Sequence, residues 1–452
     1  MRDRFGFDEN KVTGAPYWRK PQLGRRLFFR HLASAVGGYM LMPGQRPMET
    51  IARAAVTPKA TAKYCIFFML QGAPSHTDTF DLKPSNGFPA EQFKPTTYNG
   101  VLFPQGLMPK LAEQLDSLVL VRSARAWANV HGLMQTWVQI GRNPATPLAK
   151  ISPHIGSVVS LELTNKSAVL PAFIALNGTP RAASGFLPVA NAPFLLTGGA
   201  GLPNTAHRDG RERFAGRTAL LRESEAAGVP TAAELGALPD EIADWKLRSQ
   251  LLMYNSQVDR IFQLNGDTRT QYGGTPLGDA CLTARNLLRS NMGTRFIQIT
   301  YGSWDHHNNL YPRLTAMAGE FDSALGRLLV DLKADGLLDE TLIVAQGEFG
   351  RTVGPLNGAA GRDHYQQQSI VFAGAGIKGG RAIGVTDERG ARTVEPQWSR
   401  DRDVRPEDTE ATIYSALGID WTTLKRDARF GRGYEYVPAS EDMYSPVHEL
   451  WG

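Results

Sequence analysis

Gly302-Ser-Trp-Asp305-His306-His307-Asn308, Thr341-Leu-Ile-Val-Ala-Gln-Gly-Glu348-Phe-Gly-Arg351-Thr352 and Gly361-Arg362-Asp363-His364-Tyr365 follow one another within residues 302–365. Each group of acid, base or metal-competent side chains is a loop beside an apolar run of strand length. Arg295-Phe-Ile-Gln-Ile-Thr-Tyr301 precedes the first, and residues 341–345 open the second. Between them, residues 321–334 have the spacing of an amphipathic helix, stopped by Asp335-Gly336. Strand, helix and strand with polar loops at the strand ends is the pattern of an α/β protein, whose chemistry lies at the carboxyl edge of a parallel sheet.

Outside this segment the same alternation continues. Tyr64-Cys-Ile-Phe-Phe-Met-Leu70 is apolar at every position, as in a strand buried on both faces. It runs into the polar loop Gln71-Gly72-Ala-Pro-Ser75-His76-Thr-Asp78-Thr79. Residues 117–123 read as a second strand and 131–141 as a helix entered at His131. Residues 168–176 form a third strand, weakened by Pro171. A Gly-, Ala-, Arg- and Glu-rich stretch at about 180–275, helical over 232–264, reads as an insertion or cap. Residues 277–288 and 410–418 are helical and 369–373 is a strand. The expected fold is a three-layer α/β/α domain with a mostly parallel central sheet, covering residues 61–452.

The chain has 452 residues, 42% of them hydrophobic, which is enough for a large core. Its net charge of +5 is scattered, and mixed runs such as His207-Arg208-Asp209-Gly210-Arg211-Glu212-Arg213 are solvated faces that give no argument for nucleic acid. Cys65 and Cys281 are the two cysteines, expected as buried thiols. Gly24-Arg25-Arg26-Leu27-Phe28-Phe29-Arg30, the weakly apolar residues 32–42 and the small-residue site Ala52-Arg53-Ala54 resemble a twin-arginine export signal. Residues 1–60 are then leader and spacer, and the destination is the periplasm or cell envelope. The apolar run is too short for a transmembrane anchor.

Asp305 and His307 are two apart after a strand, so in extended geometry their side chains share a side. Carboxylate plus imidazole suits Zn²⁺, Mn²⁺ or iron. His306 faces the other way. Asp363-His364 adds a second such pair, Glu348 a third carboxylate, and His76 with Asp78 a further pair after the first strand. Arg351 and Arg362 flank the cluster and suit bidentate contact with phosphate or sulfate.

Five motifs carry a resemblance: Pro74-Ser-His-Thr-Asp-Thr-Phe-Asp-Leu-Lys-Pro84, Gly302-Ser-Trp-Asp-His-His-Asn308, Gly347-Glu-Phe-Gly-Arg-Thr352, Gly361-Arg-Asp-His-Tyr365 and Ile377-Lys-Gly-Gly-Arg-Ala-Ile-Gly-Val-Thr-Asp387. Together they resemble the DUF1501 family of exported bacterial proteins, itself similar to the alkaline phosphatase and sulfatase superfamily. The resemblance implies a metal-dependent hydrolase of phosphate or sulfate esters, acting on an anionic small-molecule or glycan ester. It implies a divalent cation, Zn²⁺, Mn²⁺ or Ca²⁺, with Asp78, Asp305, His307, Asp363 and His364 as metal residues. Glu348 or His131 would be general acid or base, and Arg351 and Arg362 would offset transition-state charge.

Two departures stand out. Phe349 follows Glu348 where the superfamily commonly has Asp followed by His, so a second metal site lacks a ligand. Arg125-Ala-Trp127-Ala-Asn129-Val-His131 offers no hydroxyl where the superfamily's nucleophile opens a helix; Ser123, Thr79 and Ser75 are the alternatives. These departures also admit a non-catalytic relative that binds an anionic glycan or protein partner at the cell envelope.

Overall fold

Strand β1 (Tyr64–Gln71) is apolar from Tyr64 to Leu70 because it runs through the middle of the sheet with helices on both sides. Tyr64, Ile66, Phe68 and Leu70 enter one core, and Cys65, Phe67 and Met69 enter the other, as the two-residue alternation of a strand requires. The computed structural model describes residues 56–165, 168–228, 246–426, 433–438 and 443–452. The export-signal residues at 24–54 lie outside these.

The other sheet strands are β2 (Leu118–Arg125), β3 (Phe173–Leu176), β4 (Phe194–Leu196), β5 (Phe296–Gly302), β6 (Thr341–Gln346), β7 (Gln367–Ala373) and β8 (Arg381–Ile383). Their spatial order is β8-β2-β7-β6-β1-β5-β3-β4. All pairings are parallel except those of β7, which is antiparallel to both β2 and β6. Helices α1 (His131–Ile140), α2 (Ile155–Leu163) and α5 (Pro406–Ala416) bring Met134, Val138, Val158 and Ile413 to one core. Helices α3 (Pro276–Ser290) and α4 (Leu310–Ala334) bring Cys281, Leu287, Phe321 and Leu325 to the other. The fold is the expected α/β/α. Cys65 and Cys281 fall in different cores, both buried and unpaired.

Helix α4 begins eleven residues before the expected start at 321. Leu310, Leu314 and Ala318 extend its buried stripe, and Pro312 lies in the first turn, where no amide hydrogen is needed. Strand β3 begins two residues after Pro171, which cannot donate to a ladder. In the insertion, Asn255 caps a separate helix at Ser256–Phe262, so the helical run expected over 232–264 is interrupted; residues 229–245 lie outside those described. Among the described residues no helix is long and apolar enough to cross a membrane.

The reversed direction of β7 positions the site. A parallel crossover carries the chain to the far edge of the sheet, but the connection from β6 to β7, residues 347–366, starts and finishes at the carboxyl edge. Within it Gly350–Arg351 pairs antiparallel with His364–Tyr365. Backbone packs directly on backbone between neighbouring loops. A Cβ on Gly72 (φ +103) would lie 2.7 Å from the amides of Trp304 and Asp305, and one on Gly361 would lie 2.0 Å from the His307 carbonyl carbon. Only glycine permits such approaches.

Helix α5 carries three buried acids, Glu407, Asp408 and Glu410. Glu407 accepts from the indoles of Trp127 (3.0 Å) and Trp137 (2.8 Å), and Glu410 accepts from the Tyr414 hydroxyl (2.8 Å). Burial pushes Glu407 up to about 7 and Glu410 up to about 8. The folded state therefore holds these protons more tightly than the unfolded chain. Their contribution to stability is full below about pH 4.5, the ordinary glutamate range, and declines as pH rises through 7 to 8. Glu410→Gln should melt with a weaker dependence on pH between about 5 and 9 than the parent protein; equal slopes would show that Glu410 does not titrate in that window.

Candidate metal centre

Four side chains from three loops meet at the carboxyl edge. His131 is the first residue of α1, Asp305 and His307 follow β5, and His364 lies just before β7. One ligand atom from each lies within 4.8 Å of all the others. Asp305 Oδ1 is 3.0 Å from His307 Nε2, 3.3 Å from His131 Nε2 and 3.6 Å from His364 Nε2. The Nε2 atoms of His307 and His364 are 3.1 Å apart.

The opposite nitrogen of each ring is already committed. His131 Nδ1 donates to Glu348 Oε1 (2.6 Å), His307 Nδ1 to Asp363 Oδ1 (2.8 Å) and His364 Nδ1 to the Asn129 carbonyl (2.8 Å). With the proton on Nδ1, the Nε2 lone pairs converge on Asp305. Two such lone pairs 3.1 Å apart repel unless a proton or cation lies between them, and buried His131 Nε2 has no hydrogen-bond partner. Carboxylate or carbonyl behind the imidazole is the outer arrangement of metal-ligating histidines. The residues present therefore fit a cation.

Electrostatics agree with this placement. The hydrogen bond to Glu348 raises the His131 imidazole against the opposing effect of burial. Burial pushes the Asp305 carboxyl up, but the Arg351 guanidinium and the facing histidines bring it below its ordinary value. Asp363 is lowered by the hydrogen bond from His307. Burial lowers His364, so its ring favours the neutral, ligating form.

Glu348, fully buried, also accepts from the Gly72 amide (3.0 Å) and Gln135 Nε2 (2.8 Å). It orients His131 rather than facing the cavity as acid or base. Phe349 packs its ring on His131 at 4.7 Å and on His364 at 4.8 Å. An apolar ring thus occupies the flank of the cluster at the position where the resemblance calls for a second-site ligand.

Several expected residues lie elsewhere. Asp78 is fully buried and holds Arg362 through two hydrogen bonds, 2.6 and 3.2 Å, so neither reaches the cluster; Arg362 also donates to the Thr352 and Gly354 carbonyls. Arg351 is buried against the carbonyls of Gly72, Ala73 and Arg362 and against Asp305, which leaves it no face for a substrate. Asp363 stands behind His307, one bond removed from the ligand atoms. His76 donates to the Gly390 carbonyl. The hydroxyls of Ser75, Thr79 and Ser123 donate to Asp78, the Ser75 carbonyl and the Pro396 carbonyl. His131, expected as acid or base, joins the ligand atoms instead. Its place at the start of the helix after a sheet strand was the available signal.

Asp305→Ala and His364→Ala should each abolish stoichiometric Zn²⁺ binding by the purified protein, measured by elemental analysis. Asp363→Asn should weaken it by about 10–100-fold, since it orients His307 without touching the ion. Asp78→Ala should leave the metal content of the folded protein unchanged and instead cost about 3–5 kcal/mol in chemical denaturation, because Arg362 is left buried and unpaired. Loss of metal without loss of stability in Asp78→Ala would return Asp78 to the ligand set.

A family described as "Protein of unknown function (DUF1501)" matches residues 62–433. No curated protein matches the chain. Among solved structures, the lipoteichoic acid synthase LtaP from Listeria monocytogenes is similar at 10% identity, covering 84% of this chain and 76% of that one with a TM-score of 0.39. The PsFucS1 sulfatase from Pseudoalteromonas sp. is similar at 11% identity, with 88% and 72% covered and a TM-score of 0.39. The phosphonate monoester hydrolase SpPMH from Silicibacter pomeroyi is similar at 14% identity, with 86% and 77% covered and a TM-score of 0.39.

Proposed function

The chain belongs to the DUF1501 family, and we propose that it is an exported, metal-dependent hydrolase of phosphate or sulfate esters. The convergence of three imidazole Nε2 atoms on Asp305, each ring fixed from behind, carries this reading. His131, Asp305, His307 and His364 would hold the cation. When bound, it would polarise an ester oxygen and bring the acidity of a water toward neutral pH. Three imidazoles favour zinc or iron over Ca²⁺, which takes oxygen donors. The side chains of His131, Asp305, His307 and His364 are 25, 41, 42 and 26% exposed, so the centre faces solvent as a catalytic site must, whereas structural zinc sites are closed.

The chain's own residues set the geometry. Glu348 and Asp363 fix two of the rings, and Arg351 donates to Asp305 Oδ1, the oxygen the imidazoles also face. With the hydroxyls of Ser75, Thr79 and Ser123 engaged elsewhere, water is the attacking group. The choice of phosphate or sulfate esters rests on the resemblance of the five sequence motifs.

A second reading, a non-catalytic relative that binds an anionic glycan or protein partner at the envelope, is favoured by Phe349 filling the flank of the cluster and by the engagement of the Ser75, Thr79 and Ser123 hydroxyls elsewhere. Metal-loaded protein assayed with aryl phosphates and aryl sulfates separates the two. We expect turnover of at least one class, lost in Asp305→Ala by a factor of at least about 100, on the order of 3 kcal/mol in the barrier. A protein that holds its metal stoichiometrically and turns over neither class would establish the binding reading. Export is tested apart from catalysis: Arg25→Lys with Arg26→Lys should retain the protein in the cytoplasm, and unchanged delivery to the periplasm would refute the twin-arginine assignment.

A further inference from the structure

An oxyanion ester needs a cationic partner besides the metal, and the two arginines closest to the cluster in sequence are not available. Arg351 and Arg362 are buried and saturated by carbonyls and by Asp305 and Asp78. A third arginine has the opposite character. Arg181 lies in the loop that leaves β3 at the carboxyl edge, and it is exposed. Its backbone amide donates to Gln139 Oε1 (2.6 Å), and its Nε and Nη2 donate to Gln135 Oε1 (3.0 and 2.7 Å).

Gln135 and Gln139 stand four and eight residues after His131 on α1, so the ligand and both glutamines share a helix face. Both glutamines are buried. Gln135 turns its oxygen to Arg181 and its Nε2 to Glu348, which holds His131. Two hydrogen-bonded residues therefore separate the Arg181 guanidinium from a residue of the metal centre. Among the described residues Arg181 makes no ion pair. An exposed arginine is ordinarily free to move and solvated. This one is fixed along its Nε–Nη2 edge by the single neutral oxygen of Gln135, with its backbone held by Gln139, which leaves its charge uncompensated and its Nη1 edge free.

We propose that Arg181 binds the non-bridging oxygens of the substrate's phosphate or sulfate group, as a guanidinium fork suits. This inference rests on the metal-centre reading above. The test uses the full chain loaded with Zn²⁺, titrated with inorganic phosphate and with inorganic sulfate in a calorimeter, with zinc content and melting temperature measured in parallel. Arg181→Ala should keep its zinc and its melting temperature and lose at least about tenfold in affinity for the anion the parent binds, about 1.4 kcal/mol. Arg181→Lys, which keeps the charge without the fork, should fall between. With a turned-over substrate, the loss should appear in KM more than in kcat. Unchanged anion affinity in Arg181→Ala, or a zinc-loaded parent that binds neither anion, overturns the inference and leaves the metal centre standing. A parent that takes up no zinc overturns the metal-centre reading itself, and the inference with it.

Discussion

A single buried guanidinium ties the carboxyl edge together. Arg351, 1% exposed, arises in the loop after β6. It donates to Gly72 and Ala73 in the loop after β1, to Asp305 in the loop after β5, and to the Arg362 carbonyl further along its own connection. Taking such a charge out of water costs several kcal/mol unless every donor finds an acceptor. Here the cost is offset only when these loops sit in one arrangement. Arg362 repeats the device, with Asp78 as its counter-ion and the Thr352 and Gly354 carbonyls as further acceptors. The loops that carry the candidate ligands are thus held by two buried guanidiniums, of which Arg362 stays clear of the cluster and Arg351 also contacts the ligand Asp305.

The histidines show the same division of labour. Each ring is oriented by its Nδ1 partner, and those partners differ: a buried carboxylate for His131, an exposed one for His307 and a backbone carbonyl for His364. A carboxylate behind a ring increases its basicity more than a carbonyl does, so the three donors are not equivalent. His131 has the strongest support from behind, and Phe349 on its flank excludes water from that side.

The composition of the site was legible in the chain's loops to the extent that local pattern governs it. The alternation of apolar runs and polar loops located Asp305, His307, Glu348 and His364 at strand ends, and the two-residue spacing of Asp305 and His307 put both on one side. What spacing could not distinguish was a ligand from a counter-ion. Asp78 is as acidic in sequence as Asp305, yet Asp78 is wholly buried against Arg362, whereas Asp305, which also meets Arg351, is exposed and faces three imidazoles. Arg351 and Arg362 read as substrate contacts because their sequence neighbours are site residues; their carbonyl partners come from loops that no local pattern connects.

The sequence alone determined the layered architecture, since runs apolar at every position can be buried only in a sheet covered on both faces, and it determined which loops carry chemistry. Tertiary structure decided the membership of the cluster. The direction of β7 brings the 347–366 connection back to the carboxyl edge, the buried Asp78–Arg362 pair withdraws Asp78 from the cluster, and Asp305 stays exposed beside Arg351 at the cluster itself. Those outcomes depend on desolvation and on contacts between residues up to 284 positions apart, and such energies are not encoded in the spacing of any one segment.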